Sequence, residues 1–326
     1  MQNRGKVLLI ALIAMSVSAW AQTSTNSSSS TPAGPTGEQI HALPVNVVRS
    51  MLLVPVEVNK AHLTFVLDSG GGSGYLLDAA TAKRLQVQLR GEQVTRGAVN
   101  DRIPLRLAQD LEIAFGGRRL AHQTAGVTDF GAASVYLGTQ VDGMLGAQVF
   151  SDAIVEIDYC RGRILLRDSG TGYFPADAEA VPITMVAGHF AVYATLDFAG
   201  AQHLAGMLLL DTGAGPTEVA VTREAALRER LFRRNLTAVE LPSLGGKFRA
   251  RILAADRLHV GDVVLEHVQV YASENEAGGF AGGEYLGVLG GEFFRRFVTI
   301  FDVPHNRLIL LPNRRCEPAG SAAARN

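Results

Sequence analysis

Read by hydrophobic and polar position alone, the chain is a succession of short apolar or alternating runs broken by glycine-rich turns. Leu52-Leu53-Val54-Pro55-Val56-Glu57-Val58 and Phe190-Ala191-Val192-Tyr193-Ala194-Thr195-Leu196 carry β-branched and aromatic residues at strand spacing. Residues 111–117 and 258–262 each read as a strand entering a hairpin turn. Helical patterning is confined to residues 78–85, residues 222–232 and a short turn after each of the Leu-Gly pairs at 145–146 and 289–290. The pattern predicts an all-β chain with small helices, and 35 glycines suit its many tight turns.

The pattern also occurs twice. Phe65-Val66-Leu67-Asp68-Ser69-Gly70 and Leu208-Leu209-Leu210-Asp211-Thr212-Gly213 are both apolar strands that stop at Asp, a hydroxyl residue and Gly, with the aspartates 143 residues apart. Ala42-Leu43-Pro44-Val45 matches Ala180-Val181-Pro182-Ile183 upstream. Downstream, Asp142-Gly143-Met144-Leu145-Gly146 matches Leu286-Gly287-Val288-Leu289-Gly290, and Val155-Glu156-Ile157-Asp158-Tyr159 matches Thr299-Ile300-Phe301-Asp302-Val303. A period this long means two domain-sized lobes rather than a solenoid. A carboxylate at the end of a buried strand is costly unless something pairs it. Two at equivalent places predict that pseudo-symmetry brings them together. Asp158 and Asp302 each precede a turn and read as structural, and Asp142 has an apolar counterpart in Leu286.

The Asp-Ser/Thr-Gly triplets, the later apolar-apolar-Gly and the closing Asp-containing strand pair resemble the aspartic proteases. The likeness is to bacterial relatives of the retropepsin-like enzymes, here with two copies in one chain as in pepsin-like enzymes, and it covers residues 44–312. It implies two pseudo-symmetric β-barrel lobes with a cleft between them, and Asp68 and Asp211 as the catalytic pair. Ser69 and Thr212 would hydrogen-bond across the pseudo-twofold axis. Gly70 and Gly213 would make the tight turn, and Gly146 and Gly290 would pack beneath the loops. Lobe 2 has the family's Ala214 after its triplet, whereas lobe 1 departs with Gly71, Gly72, Ser73 and Gly74. The hairpin candidates at 96–101 and 243–247 would include one or two flaps, and neither contains a tyrosine.

The chemistry such a pair supports is hydrolysis. Two carboxyls within hydrogen-bonding range resist joint ionisation, so they share a proton. The ionised one takes a proton from water, and the protonated one hydrogen-bonds the scissile carbonyl. A peptide or protein is then the substrate, with no metal and no cofactor. With both lobes in one chain, the expected active form is a monomer. The alternative is a two-lobed exported protein that binds peptides or cell-wall material without cleaving them. The eight histidines are scattered with no His-Glu-x-x-His, which argues against a zinc hydrolase. Residues 71–75 lack the last glycine of a nucleophile elbow, and residues 213–218 lack the third glycine of a dinucleotide loop.

Composition bounds the rest. Length of 326 residues suits two domains, and a net charge of −1 gives no case for nucleic acid. Arg4 and Lys6, an apolar run over 7–17 and Ala19-Trp20-Ala21 read as a cleaved secretory signal over residues 1–21, hence a periplasmic or secreted protein with no membrane span after cleavage. Residues 22–43 read as a disordered Ser/Thr/Pro-rich linker, 44–173 as the N-terminal lobe, 174–313 as the C-terminal lobe and 314–326 as a tail, with the lobe boundary near 170–178. Cys160 and Cys316 either staple the lobes in an oxidising compartment or stand as two thiols.

Overall fold

The structure is a computed structural model that describes residues 40–313, apart from 73, 171–177, 179, 201, 234 and 235. All lie in one folded unit, Glu38–Asn326. The signal, most of the linker, the lobe boundary but for a few residues, and the tail fall outside the described residues.

The first half runs β1 (Ile40–Pro44), β2 (Asn46–Val48), β3 (Met51–Val58), β4 (Ala61–Leu67), β5 (Tyr75–Asp78), α1 (Ala79–Arg84), β6 (Leu89–Thr95), β7 (Ile103–Phe115), β8 (Arg118–Thr128), α2 (Gly131–Leu137), β9 (Gly143–Leu145), α3 (Gln148–Asp152), β10 (Ala153–Asp158) and β11 (Arg163–Asp168). The second runs β12 (Ala180–Pro182), β13 (Thr184–Val186), β14 (His189–Phe198), β15 (Gln202–Leu210), β16 (Val219–Val221), α4 (Arg223–Arg228), β17 (Thr237–Ser243), β18 (Gly246–Val260), β19 (Val263–Ser273), β20 (Gly287–Leu289), α5 (Gly291–Phe294), β21 (Phe297–Asp302) and β22 (Arg307–Pro312). Each half folds into an eight-stranded sheet. Lobe 1 is ordered β2-β3-β4-β9-β5-β8-β7-β6 and lobe 2 β13-β14-β15-β20-β16-β19-β18-β17, strand for strand the same. Cross-pairs β3–β7 and β14–β18 curl each sheet back on itself.

A third sheet joins the halves. Its order is β1-β11-β10-β21-β22-β12, and its centre is the antiparallel β10–β21 pair, with Glu156 opposite Ile300 and Ile157 opposite Thr299. Residues 153–158 are buried on both faces, and the two acids among them, Glu156 and Asp158, are paired by Arg167 and Arg161. Above this base Phe150, Phe293, Phe294 and Phe301 stack edge-on, with Phe150 and Phe301 centroids 4.9 Å apart. One contiguous apolar core runs from this base into both lobes, and each fully buried Leu or Phe in it contributes about 1.5–3 kcal/mol.

Two expectations need correcting. The linker was read as extending to residue 43, but 40–43 belong to β1, which pairs with β11 from Ile40↔Arg167 to Pro44↔Arg163. The pairing buries Leu43 against the base, while Ala42 and Pro44 on either side are exposed. Helix α2 was not foreseen: Gly131-Ala132-Ala133-Ser134-Val135-Tyr136-Leu137 is too short and too small-residue-rich to show a helical period, and it stops at Gly138 with φ 67°. Cys160 is disulfide-bonded, while Cys316 lies outside the described residues.

Candidate active site

Strands β4 and β15 end in the same setting. β4 lies parallel to β9 with Leu67 opposite Leu145, and β15 lies parallel to β20 with Leu210 opposite Leu289. The aspartates make the last ladder bonds: Asp68 N–H donates to Leu145 O at 2.9 Å and Asp211 N–H to Leu289 O at 3.0 Å. Parallel pairing stops there and both chains turn, Gly71 N–H reaching Asp68 O at 3.3 Å and Ala214 N–H reaching Asp211 O at 3.2 Å. Pairing with a central strand therefore delivers each carboxyl to the sheet edge, where the two lobes meet.

The hydroxyl residues lock the two turns. Ser69 N–H donates to Thr212 Oγ1 at 2.9 Å, and Thr212 N–H donates to Ser69 Oγ at 3.1 Å. Each hydroxyl then donates across the axis, Ser69 to Leu210 O at 2.8 Å and Thr212 to Leu67 O at 2.9 Å. Both side chains are fully buried with every polar group satisfied. Four reciprocal bonds in a dry site, each contributing about 0.5–1.5 kcal/mol, fix the separation of the loops.

The carboxyls of Asp68 and Asp211 hydrogen-bond each other and are half-buried rather than sealed. A Cβ on Gly70 would stand 2.5 Å from Asp211 Cγ, and one on Gly213 would overlap the Asp68 carboxyl. Glycine is thus required at both because each backbone closes on the opposite acid. Asp68 Oδ1 accepts the Gly70 and Gly71 N–H groups, both at 2.9 Å, and the Gly213 amide also faces Asp68. Asp211 Oδ1 accepts Ala214 N–H at 3.0 Å, with the Gly213 amide again nearby. Burial raises the pKa of Asp68 above the ordinary carboxylate range, against the pull of the Asp211 hydrogen bond and three amides. Burial and then the charge of Asp68 push Asp211 well above it. The site therefore holds one proton readily between two acids. The more amide-rich Asp68 is the better place for the negative charge, and Asp211 for the proton.

Gly146 and Gly290 lie under the loops. A Cβ on Gly146 would overlap Gly72 O, and one on Gly290 would overlap Thr217 Oγ1. Gly146 N–H donates to Gly74 O at 3.0 Å, and Gly290 N–H to Glu218 O at 3.0 Å. Asp158 ends β10 by accepting Cys160 and Arg161 N–H, both at 3.1 Å, and Asp302 takes His305 and Arg307, so these two acids serve the base sheet. Among the described residues no cluster of His, Cys, Asp or Glu is placed to hold a metal ion.

One contact had no signal in the sequence, and a second had only a partial one. The β2–β3 turn of lobe 1 carries Arg49 (φ 49°) and Ser50 (φ 59°), both left-handed, and inserts Ser50 against lobe 2. Ser50 Oγ hydrogen-bonds Glu292, and Gly215 and Gly291 have no room for a Cβ beside this turn. Gly291 N–H in turn donates to Ala214 O at 3.1 Å, so the turn props the loop of Asp211. The second is the tip of the β6–β7 hairpin, residues 96–102, which reaches lobe 2 around Gly278. A single polar residue such as Ser50 announces nothing by itself, whereas the Gly278-Gly279 pair does mark a close backbone approach.

Residues 54–149 match the family model described as aspartyl protease. The whole fold is similar to the crystal structure of an aspartic proteinase from Irpex lacteus, with TM-score 0.55 and 13% identity, covering 85% of this chain and 98% of that one. No curated protein matches the sequence. The family match lies within lobe 1, and the structural likeness extends to the fold of both lobes.

Proposed function

We propose that the chain is an aspartic endopeptidase that acts as a monomer in the periplasm or outside the cell. The single observation that carries the reading is the pair of half-buried carboxyls at the lobe junction, hydrogen-bonded to each other and served by unequal numbers of amides. In this reading Asp68 is the anion and Asp211 the acid. Asp68 takes a proton from a water held between them, making it nucleophilic toward the scissile carbonyl. Asp211 donates to the carbonyl oxygen, stabilising the charge that grows there as the tetrahedral intermediate forms. The proton received by Asp68 then passes to the leaving nitrogen, which departs as an amine and restores the pair. The crossed Ser69–Thr212 bonds keep both acids in register throughout.

The activity rests on the family match and the fold, and internal cleavage suits a site lying between two lobes. Export rests on the basic, apolar and small-residue order of residues 1–21, and among the described residues no helix is long and apolar enough to cross a membrane. The test is incubation of the purified protein with a denatured protein mixture from acidic to neutral pH, with and without a pepstatin-type inhibitor, read by mass spectrometry. New internal termini, lost with inhibitor and in Asp68→Asn and Asp211→Asn, support the reading. No cleavage at any pH overturns it. Specific activity independent of protein concentration supports the monomer, and activity that climbs with concentration refutes it.

A further inference from the structure

The β2–β3 turn of lobe 1 is wedged against the backbone that carries Asp211. Ser50 is 3% exposed and held at φ 59°, and its hydroxyl donates to Glu292 Oε1 in α5. A Cβ on Gly291 would stand 2.2 Å from Ser50 O, and one on Gly215 would stand 2.6 Å from Arg49 O. The turn therefore closes on both the loop after Asp211 and the start of α5. From there a short chain of bonds leads to the acid. Gly291 N–H and Thr217 Oγ1 both donate to Ala214 O, at 3.1 and 2.9 Å, and Glu292 N–H donates to Thr217 O at 3.1 Å. Ala214 N–H in turn donates to Asp211 Oδ1 at 3.0 Å. Among the described residues the Asp68 loop has no such wedge. Its counterpart turn is Ala187-Gly188, which has no hydroxyl to donate. Gln148 stands where lobe 2 has Glu292 but bonds Asp152 at 2.7 Å, and Gly72 faces open space.

We propose that Ser50 and Glu292 are positioning residues for the reaction: their bond across the lobes fixes the Ala214 amide on the Asp211 carboxyl, and with it the geometry of the proton-donating acid. This inference rests on the endopeptidase reading for its role in turnover. Burial and the charge of Asp68 raise the proton affinity of Asp211, and the Ala214 amide is among the groups that oppose them. Loosening the wedge withdraws that amide, so Asp211 keeps its proton to higher pH. Asp68 is left as it was, because its Gly70 and Gly71 donors lie outside the chain of bonds. The other titratable and charged groups nearby are Asp68 across the axis, Tyr159 at the end of β10, Tyr285 ahead of β20, Glu292 with Arg295, and Glu218 with Arg296. Replacing Ser50 changes the charge of none of them, so a shift at Asp211 reports the wedge.

The first readout needs no turnover. In full-length Asp68→Asn protein, carboxyl-carbon NMR of labelled aspartate follows Asp211, identified as the resonance missing from Asp68→Asn/Asp211→Asn. Adding Ser50→Ala should move the Asp211 midpoint to higher pH. Ser50→Gly, which suits the left-handed backbone, and Glu292→Ala should do the same. Glu292→Gln keeps an acceptor for the Ser50 hydroxyl and should leave the midpoint where it was. The second readout is kinetic, with both aspartates intact and a denatured protein as substrate. Ser50→Ala and Glu292→Ala should lower kcat by about 10–100-fold with KM unchanged. The alkaline limb of the pH profile should move to higher pH while the acid limb stays in place. Glu292→Gln should keep the parent's rate, as should Ala187→Gly in the counterpart turn. An unmoved midpoint in Ser50→Ala, a loss confined to KM, a shifted acid limb, or Glu292→Gln as damaged as Glu292→Ala each overturns the proposal. A parent that cleaves nothing while the Asp211 midpoint still moves with Ser50 would sink the endopeptidase reading alone. Cleavage with an unmoved midpoint would sink this inference alone.

Discussion

Lobe 1 and lobe 2 share a strand order, but they solve the same packing position in opposite ways. At the start of the strand that supports the aspartate, lobe 1 has Asp142 and lobe 2 has Leu286. The backbone bonds are equivalent: Asp78 N–H donates to Asp142 O at 2.7 Å, and Thr222 N–H to Leu286 O at 2.9 Å. Asp142 is 5% exposed and accepts from Thr64 N–H at 3.0 Å, Thr81 Oγ1 at 2.7 Å and Arg84 at 3.0 Å. In lobe 2 Leu286 packs beside α4, which has Ala225 where α1 has Thr81. The acid and its hydroxyl donor were exchanged together for two apolar groups. The ladder sets the fold, and the side chains need only be mutually consistent. The loops differ too. Lobe 1's Ser50 turn props the loop of Asp211, but its counterpart in lobe 2, Ala187-Gly188, leaves open space at Gly188, and the loop after Asp68 has open space at Gly72 and Gly74.

The largest test of the comparison is catalytic. If the pair works as one unit, Asp68→Asn and Asp211→Asn each lower kcat/KM on a denatured protein by about 10⁴-fold, and the double variant does little more. A lobe whose aspartate could be replaced with a loss of only tenfold would show that the two acids act separately.

Next come the glycines beneath the loops. Gly146→Ala and Gly290→Ala drive a methyl into backbone oxygen or the Thr217 hydroxyl, and each should cost about 1–3 kcal/mol in urea unfolding. Gly72→Ala in the open part of the lobe 1 loop is the control and should change stability by less than about 0.5 kcal/mol. Equal losses at all three would mean that the lobe 1 loop is as tightly propped as that of lobe 2.

How much of this could be read from the chain depends on the range of the interaction. The Asp-Ser/Thr-Gly turns, the strands before them and the Leu-Gly pairs after them are local patterns, and repetition made them specific. Strands β10 and β21 were legible as strands but not as partners, because runs buried on both faces carry no period that chooses a neighbour. Residues 40–43 were lost to a compositional reading of the linker, because a five-residue strand with His41 beside Leu43 on its inward face shows no clear apolar alternation. Ser50 and the tip at 97–99 act across the lobes, over separations of 242 residues for Ser50–Glu292 and 182 for Arg96–Gly278, where sequence spacing says nothing.

The Asp142 comparison can be broken directly. Asp142→Leu strands Thr64 N–H and the Thr81 hydroxyl, at about 1–3 kcal/mol for each buried donor left unpaired, while the exposed Arg84 turns to water. Adding Thr81→Ala reproduces the lobe 2 pair and should recover part of the loss, so that the double variant is more stable than the sum of the singles predicts. Additive losses would show that the lobe 2 solution does not transfer. The crossed hydroxyls give a smaller and symmetric effect: Ser69→Ala and Thr212→Ala each remove one of two reciprocal partners, and their costs should agree within about 0.5 kcal/mol.

The smallest effect is the pH dependence of stability, and it separates the two acids. Both carboxyls have pKa values above the ordinary aspartate value, Asp211 by more. A group with a raised folded-state pKa binds more protons folded than unfolded between its two values, so stability falls as pH rises through that interval. Asp211→Asn removes the more strongly raised group and leaves Asp68 as an anion facing three amides. Asp68→Asn leaves Asp211 with fewer donors. In thermal melts at pH 7, Asp211→Asn should therefore melt above the parent and above Asp68→Asn. At pH 3, below the unfolded value, where both carboxyls are protonated in either state, the gap should close. A parent protein that gains stability relative to Asp211→Asn on going from pH 3 to pH 7 would place the shared proton on Asp68 instead, and with it reverse the roles of the two lobes in the chemistry.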